Sequence, residues 1–412
     1  MKPRGVLGAV AVAAGVVLLA GCGSGSVATS PAHPEGAAPA VFTGHLEPLH
    51  PGSVSPADLG ADDQAFGLRL LHDVCITDPG QSTVLSPASA AQALGMLETG
   101  AVGATRTALS TLLDEPAYGP AVVAAEHART VQLQKVTGLA TSNRVFTQAG
   151  VTPQQATLND LRTAYDTQLR TLDFADQPTQ STDTINHLVS GDTHGLIPKL
   201  FDQPLAGSTV TVLTDAIYLK AQWQTPFQAP VPGPFTTADG THVTVPTLRS
   251  MEADASAAAD GWQSVQLPYA HGPLTAYALL PPAGAKTCTV PNTATLSALL
   301  DTSHGAATVV MPKFHLTQTN QLLKVLTGEG LQPGGNYAGF SPGAHVSQVV
   351  QKVDISVDEN GTTAAAATGI SVASAGRISN THVDFDRPFL FLVTDTATHT
   401  PLFLTRVADP RG

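Results

Sequence analysis

A strand pattern followed by a long uncharged segment places the strongest constraint on how this chain can fold. Val353, Ile355 and Val357 alternate with polar residues, as expected for a β-strand with one buried face. The sixteen residues from Gly361 to Gly376 then contain no charge and no proline, and most of their side chains are very small. Such a run is too apolar for an ordinary solvated loop and too small to build a core alone. Because a central strand excludes proline and unpaired charge, we predict that this loop can become one.

The alternation within this run assigns its side chains to two strand faces. The face that we expect to point inward carries Thr362, Ala364, Ala366, Thr368, Ile370 and Val372. Alanine has the highest helix propensity, so the four residues from Ala364 to Ala367 also fit one turn of helix. The run alone does not decide between a strand and a helix.

Several other segments carry recognisable signatures. Ser86 is a good N-cap and Pro87 suits the first turn, which predicts a helix that reaches Gly100. The signature segments, in chain order, are Leu85-Ser86-Pro87-Ala88-Ser89, Asn143-Arg144-Val145-Phe146, Ile185-Asn186-His187 with Thr193-His194-Gly195-Leu196-Ile197, Leu213 to Trp223 with Pro226-Phe227, Met311-Pro312-Lys313-Phe314, and Asp386-Arg387-Pro388-Phe389-Leu390-Phe391.

These segments, in this order and together with Asp358 to Thr368, resemble the serpin family. The resemblance implies an α+β serpin fold, with a large central mixed β-sheet, two further sheets, about eight or nine helices and an exposed reactive-centre loop at about residues 359–381. It also implies a suicide inhibitor of serine or cysteine proteases rather than an enzyme. In that family the protease attacks the loop and forms an acyl-enzyme. The cut loop then inserts into the sheet as a new strand and distorts the protease.

The resemblance assigns the hinge and the cleaved bond. The hinge residues are Glu359, Gly361, Thr362, Thr363, Ala364, Ala365, Ala366, Ala367 and Thr368. Family loops place the cleaved bond sixteen residues after the hinge glutamate, which gives Ala375-Gly376. An alanine there suits elastase-like or subtilisin-like proteases, whose primary pockets are small or apolar. The alternative bond, Arg377-Ile378, suits a trypsin-like protease.

Five residues are implied to act in sheet opening: Ser86, Ser89, Asp215, Gln351 and Trp223. Two of them depart from the family pattern, because Asp215 stands where asparagine is usual and Gln351 where histidine is usual. A carboxylate can accept hydrogen bonds that a carboxamide donates, so we expect this pair to satisfy one another and the serine hydroxyls. A further departure is Thr363, where many members have glutamate.

The charge of the chain excludes several kinds of partner. It has 20 basic and 32 acidic residues, a net charge of −12. Nucleic acid is excluded because backbone phosphates require a basic surface. We expect no heparin-type site either, since residues 115–135 hold only Arg129 and Lys135 as fixed positive charges.

The first 21 residues are typical of a bacterial lipoprotein signal peptide. Lys2 and Arg4 precede an apolar run that ends in Leu19-Ala20-Gly21-Cys22. We expect cleavage before Cys22 and lipidation of its sulfur, which anchors the exported protein to the outer face of the cell membrane. Cleavage elsewhere, followed by plain secretion to the extracellular space, is the alternative.

Residues 22–60 are rich in Gly, Ser, Pro and Ala, and we predict a lipidated N-terminus with a flexible tether. Residues 61–412 contain no second linker and no repeat, which predicts one domain, and we expect a monomer. Cys75 and Cys288 remain once Cys22 is assigned to the lipid. They could pair in an oxidising space, but the spacing leaves a disulfide and two separate thiols equally open.

Enzymatic and metal-binding functions lack support in this sequence. The chain has no Gly-x-Ser-x-Gly, Ser-x-x-Lys or His-Glu-x-x-His motif and no histidine pair at i, i+4, so we expect no metal site and no cofactor. The main alternative to an inhibitor is a non-inhibitory serpin that acts as a binding or carrier module. The small hinge residues favour the inhibitor over the carrier. A surface adhesion protein is a third reading.

Overall fold

The fold is described from a computed structural model, over residues 38–303, 305–362, 379 and 381–412. Within these residues the helices are α1 (Pro56–Thr77), α2 (Pro87–Gly100), α3 (Ala104–Leu112), α4 (Pro120–Leu133), α5 (Gln155–Tyr165), α6 (Pro178–Asp192), α7 (Thr293–Leu300) and α8 (Leu323–Glu329). The strands are β1 (Ala40–Phe42), β2 (Thr83–Leu85), β3 (Leu139–Gln148), β4 (Leu169–Leu172), β5 (Thr211–Leu219), β6 (Ala221–Gln222), β7 (Val231–Thr236), β8 (His242–Arg249), β9 (Asp254–Ala259), β10 (Trp262–Pro268), β11 (Leu274–Leu280), β12 (Gly305–Pro312), β13 (Phe314–Gln321), β14 (Val346–Val357), β15 (Gly361–Thr362), β16 (His382–Asp384), β17 (Phe389–Asp395) and β18 (Pro401–Val407). The predicted α+β class, with mixed sheets and eight helices in the described residues, is confirmed.

The large sheet has eight strands and mixed pairing. Its order is β1-β4-β3-β5-β14-β15-β6. Strand β13 pairs with the edge of β14 that faces away from β5. The central neighbours β5 and β14 run parallel to one another over most of their length. Two parallel strands can accommodate a third strand between them only if it is antiparallel to both or parallel to both.

The remaining strands form one ten-stranded arrangement in the order β2-β18-β17-β11-β10-β9-β12-β8-β7. Strand β12 joins its two parts, because residues Gly305 to Ala307 pair with β9 while Val310 to Pro312 pair with β8. The two further sheets that the resemblance implies are therefore linked through this shared strand. Strand β16 pairs with β12 in parallel, from Thr308 to Val310 of β12.

Helix α2 is packed beneath the large sheet, and all fourteen of its residues are buried. Its start and end agree with the prediction. Ser86 Oγ accepts a hydrogen bond from Ser89 N, Pro87 occupies the first position, and the helix ends at Gly100. A wholly buried helix needs small side chains where it approaches the strands closely, and six of its fourteen residues are Ala or Gly.

The alternation predicted for the strand before the loop is confirmed. Val353, Ile355 and Val357 are fully buried and belong to one hydrophobic cluster with Phe314 of β13. The polar residues between them are partly exposed on the opposite face. The pattern places the start of the loop at the end of a strand in the middle of the large sheet.

The predicted tether of residues 22–60 is wrong for its last part. Ala40–Phe42 forms β1, the edge strand of the large sheet, which pairs antiparallel with β4. His45 N donates to Asn159 Oδ1 and Glu47 N donates to Thr163 Oγ1 of α5, each at 2.9 Å. Helix α1 also begins at Pro56, with Ser55 as its N-cap, before the predicted domain start at residue 61. Composition alone missed these contacts because an exposed sheet edge pairs through backbone groups that any sequence provides.

Cys75 and Cys288 form a disulfide, with their Cα atoms 5.7 Å apart, which decides between the two alternatives left open. The bond ties the end of α1 to the loop that follows β11. His72 Nδ1 lies 3.0 Å from the Cys288 carbonyl oxygen and holds the same loop.

Over the described residues, we find no helix that combines the length and the apolar character needed to cross a bilayer.

Candidate functional site

The start of the loop lies at the end of the large sheet where β14 terminates. There the short strand β15 lies between β14 and β6, and it is antiparallel to both. Thr362 faces Val357 on one side and Ala221 on the other. The first two residues of the uncharged run are thus already paired within the sheet.

A tight turn brings the chain back from β14 into β15. Asp358 Oδ1 accepts hydrogen bonds from Asn360 N at 2.8 Å and from Gly361 N at 3.1 Å, an Asx-type arrangement. Asp358 N closes the turn by donating to the Gly361 carbonyl oxygen at 3.0 Å. A Cβ atom at position 361 would lie 2.1 Å from the backbone oxygen of Ala221, so the close approach of the two strands requires glycine.

Thr362 is fully buried, and its hydroxyl forms a hydrogen bond of 2.5 Å with Tyr269 Oη. Burial raises the pKa of Tyr269, so this phenol stays protonated and able to donate. The Tyr269 ring stacks on Trp223, with ring centroids 4.7 Å apart. Sequence reasoning did not single out Tyr269, because nothing in its local pattern relates it to a residue 93 positions away.

Trp223, which the resemblance assigns to sheet opening, holds the same turn. Its indole Nε1 donates to the Asp358 carbonyl oxygen and its backbone N donates to the Asn360 carbonyl oxygen, each at 2.9 Å. The side chain is 3% exposed. One residue therefore fixes both the turn and, through the stacked tyrosine, the first buried loop residue.

Glu359 is held by two contacts, one from Lys313 next to β13 and one from Phe227 in the segment after β6. Its Oε2 accepts a hydrogen bond from Lys313 Nζ at 3.0 Å, and its carbonyl oxygen accepts one from Phe227 N at 2.8 Å. Partial burial acts to raise the pKa of Glu359, but the hydrogen bonds and the charge of Lys313 outweigh it and lower the pKa. The Met-Pro-Lys-Phe segment was noted in the sequence, yet this role of Lys313 was missed.

A second group of predicted residues meets in the middle of the large sheet, beneath the pair β5 and β14. Asp215 and Gln351 are direct neighbours in the parallel register. Gln351 Nε2 donates to Asp215 Oδ2 and to the Ser86 carbonyl oxygen, and its Oε1 accepts from Ser86 N at 3.0 Å. These contacts join the two strands to the first turn of α2.

The carboxyl group of Asp215 is buried, with 2% of the residue exposed. Burial raises its pKa to about 7, although hydrogen bonds from Gln351 and Ser89 act to lower it. The amide of Asn143 on β3 lies 3.3 Å from Asp215 Oδ1 and donates to it when Nδ2 points into the sheet. No cation pairs with this carboxyl group among the described residues, so its charge is stabilised by hydrogen bonds only.

Several predicted site residues fall outside the described residues. They are Cys22, the hinge residues Thr363, Ala364, Ala365, Ala366, Ala367 and Thr368, and the reactive-bond residues Ala375, Gly376, Arg377 and Ile378. Arg129, one of the two fixed positive charges in residues 115–135, is fully buried between Asp63 and Glu126. That buried position removes it from any polyanion-binding surface.

Comparison with known proteins gives one consistent result. A family profile described as Serpin (serine protease inhibitor) matches residues 61–410. Glia-derived nexin of Rattus norvegicus is 29% identical over 381 residues, which cover 87% of this chain and 94% of the relative. Iripin-2 of Ixodes ricinus is 31% identical over 373 residues, which cover 85% of this chain and 93% of the relative.

Solved structures give the same fold. The mouse protein-Z dependent protease inhibitor matches with a TM-score of 0.75 and 22% identity, covering 86% of this chain and 98% of that structure. Human thyroxine-binding globulin, solved as a complex with thyroxine, matches with a TM-score of 0.73 and 23% identity, covering 87% of this chain and 100% of that structure. The family is one of protease inhibitors rather than catalysts, and its fold, its profile and its relatives all match here, so the chain belongs to the serpin family.

Proposed function

We propose that this chain is an exported, surface-anchored suicide inhibitor of serine endopeptidases that acts by insertion of its reactive-centre loop. The observation that carries the proposal is the position of β15 between β14 and β6. A strand inserted between the parallel strands β5 and β14 in the antiparallel sense continues the direction that Gly361 and Thr362 already have. Further insertion extends this strand without reversing the chain.

The pairing of the sheet supplies a driving force for this insertion. The parallel contact between β5 and β14 runs from the pair Val346 and Thr211 to the pair Asp354 and Tyr218. An inserted strand exchanges this one parallel ladder for two antiparallel ladders. Antiparallel pairs are slightly more stable per residue, and each residue that enters the sheet adds backbone hydrogen bonds to two neighbours.

The length of the loop fits the length of the sheet. Thr362 to Ala375 spans 14 residues, or about 46 Å as a strand, and the 12 residues of β14 span about 40 Å. A protease attached to Ala375 is therefore carried along the whole sheet. In the proposed reaction the serine hydroxyl of the protease attacks the Ala375 carbonyl carbon, the peptide bond breaks, and the Gly376 amine leaves with the proton. Insertion then outruns hydrolysis of the ester.

The primary target class follows from the cleaved bond. Ala375 favours elastase-like or subtilisin-like proteases, and Arg377 at the alternative bond would favour a trypsin-like protease. The signal sequence supports the proposed location, since Cys22 would carry the lipid that holds the inhibitor at the outer face of the membrane. A Cys22→Ala variant should then lose incorporation of labelled fatty acid and appear in the medium.

The experiment mixes the purified chain with elastase-like, subtilisin-like and trypsin-like proteases and separates the products after boiling in detergent. We expect a covalent complex with at least one of them, and none when the protease serine has been blocked beforehand. A carrier of the same fold would be cleaved or left intact without forming a complex with any protease in the panel. That outcome would favour the alternative, a non-inhibitory serpin that acts as a binding or carrier module, over the inhibitor.

A further inference from the structure

A cavity of about 210 Å³ is lined by the turn after β7, the loop after β11, the start of β17 and Arg406 of β18. The share of liquid volume occupied by one water is about 30 Å³, so the cavity has room for a larger guest. Its wall contains Leu390 of β17 and Arg406 of β18, which are register partners, together with Arg387 and Lys286. Three cationic side chains therefore line one cavity of a protein whose net charge is −12.

Arg406 is unusual because it is buried without an acidic partner. The residue is 5% exposed, and its single hydrogen bond within the described residues runs from Nη1 to the Gln81 carbonyl oxygen at 2.9 Å. Desolvation by burial lowers the pKa of its guanidinium, and no carboxylate counters this effect. Arginine nevertheless remains charged in proteins, and an unpaired buried charge is costly. The remaining side-chain donors of Arg406 have no hydrogen-bond partner among the described residues.

Arg387 also has unused hydrogen-bonding capacity. Its Nη2 donates to the Pro281 carbonyl oxygen at 3.1 Å, and its Nη1 lies 3.3 Å from Oδ1 of the exposed Asp386. Its Nε is buried and has no partner among the described residues. The guanidinium is therefore held in place by two contacts while one buried donor remains free.

The loop that forms another part of the cavity wall is held in place by a covalent bond. The loop from Pro281 to Thr289 carries Lys286, and the disulfide to Cys75 holds it at Cys288. The nearby turn contains Asp239, but that carboxylate accepts hydrogen bonds from Thr237 Oγ1 and Thr241 N and is not part of the cavity wall. Among the described residues no acidic residue lines the cavity, and the one carboxylate that pairs with its cations, that of Asp386, is exposed and lies outside the wall.

We infer that this cavity binds a small oxyanion, either a phosphate or a carboxylate, through the guanidinium groups of Arg387 and Arg406 with Lys286 at the rim. Guanidinium groups present paired donors that match the oxygen spacing of both anions. The anion would supply the counter-charge that Arg406 lacks. Because the anion and the cationic side chains attract one another through opposite charges, we expect binding to weaken as ionic strength rises.

The test is isothermal titration calorimetry of the full-length chain with sodium phosphate and, separately, sodium acetate, at constant ionic strength maintained with sodium chloride. We expect a saturable heat with one site per chain for at least one anion. The anion with the lower dissociation constant shows whether the cavity prefers a phosphate or a carboxylate. Arg406→Gln and Arg387→Gln should each weaken the dissociation constant about tenfold or more, since each removes charge-assisted hydrogen bonds. Arg249→Gln, which neutralises an exposed arginine on β8, should leave binding unchanged.

Two results would overturn the inference. One is the absence of saturable heat with both anions. The other is an unchanged dissociation constant in Arg387→Gln, a partly exposed position where substitution should not prevent folding. The inference also predicts that Arg406→Gln, measured without phosphate or acetate, unfolds at a temperature no lower than the parent chain. A large loss of thermal stability there would assign Arg406 a purely structural role and contradict the proposal.

Discussion

Replacement of Asp215 by asparagine should stabilise the uncleaved protein at neutral pH but not at acidic pH. Burial raises the pKa of Asp215 from 3.8 to about 7 in the folded chain. The folded state therefore binds the proton more tightly than the unfolded state, and stability falls as the pH rises from about 4 to about 7. Asparagine at this position is neutral throughout and restores the residue that is usual in the family.

The size of the effect follows from the shift. About three pKa units correspond to about 4 kcal/mol in the free energy of unfolding, and this figure is an upper limit for the Asp215→Asn difference. The assay is urea denaturation of both proteins at pH 4 and at pH 8. We expect the advantage of Asp215→Asn to grow by several kcal/mol between these two pH values. A difference that does not change with pH would refute the reasoning.

Asp254 provides a matched control for the loop mechanism. Burial raises its pKa to about 7 as well, but it lies on β9, outside the large sheet. Asp254→Asn should therefore give a similar pH-dependent stabilisation. Only Asp215→Asn should also slow loop insertion at pH 8, because only Asp215 connects the strands that must separate. Equal effects of both variants on the insertion rate would show that global stability, and not the contact between β5 and β14, controls opening.

The remaining predictions concern the disulfide, the hinge and the cleaved bond. Cys288→Ser should lower the free energy of unfolding by about 2–5 kcal/mol in urea denaturation, because the disulfide closes a long loop; no change would contradict a stabilising role. Trp223→Phe should cost about 1 kcal/mol from the lost hydrogen bond to the Asp358 carbonyl oxygen, read from the thermal midpoint, and an unchanged midpoint would argue against that contact. A double-mutant cycle of Lys313→Ala and Glu359→Ala should give a coupling below about 1 kcal/mol, since both side chains are partly exposed, and a coupling of several kcal/mol would indicate a buried pair. Mass spectrometry of the fragment released by the inhibited protease should find 37 residues that begin at Gly376, and a fragment of 35 residues that begins at Ile378 would move the cleaved bond.

Local sequence patterns predicted the helices and strands whose boundaries are set by residues close to them in the chain. Ser86 and Pro87 set the start of α2 because a cap and a first-turn proline act within four residues of the helix end. The alternation around Ile355 identified β14 because one face of that strand is buried. The neighbouring positions of Asp215 and Gln351 came from the family resemblance, and the structure gives the hydrogen bonds between them.

Contacts between distant segments could not be predicted in the same way. The pairing of β1 with β4 uses backbone donors and acceptors that every residue has, so composition suggested a tether. The disulfide joins residues 213 positions apart, and their separation in space depends on the whole fold. The bond between Thr362 and Tyr269 depends on the register of the hinge within the sheet, which the sequence of the hinge does not encode.

Insertion of the loop is tested most directly by the thermal stability of the chain before and after a single cut in the reactive-centre loop. Thr362 is the first residue of the loop whose side chain is buried, and Thr362→Arg would place a charge between strands at a cost of several kcal/mol. We predict that cleavage raises the melting temperature of the parent chain, that Thr362→Ser keeps this rise as a control, and that Thr362→Arg reduces or abolishes it while still being cut. A parent chain that gains no stability on cleavage, or a Thr362→Arg variant that gains as much as the parent, would contradict loop insertion.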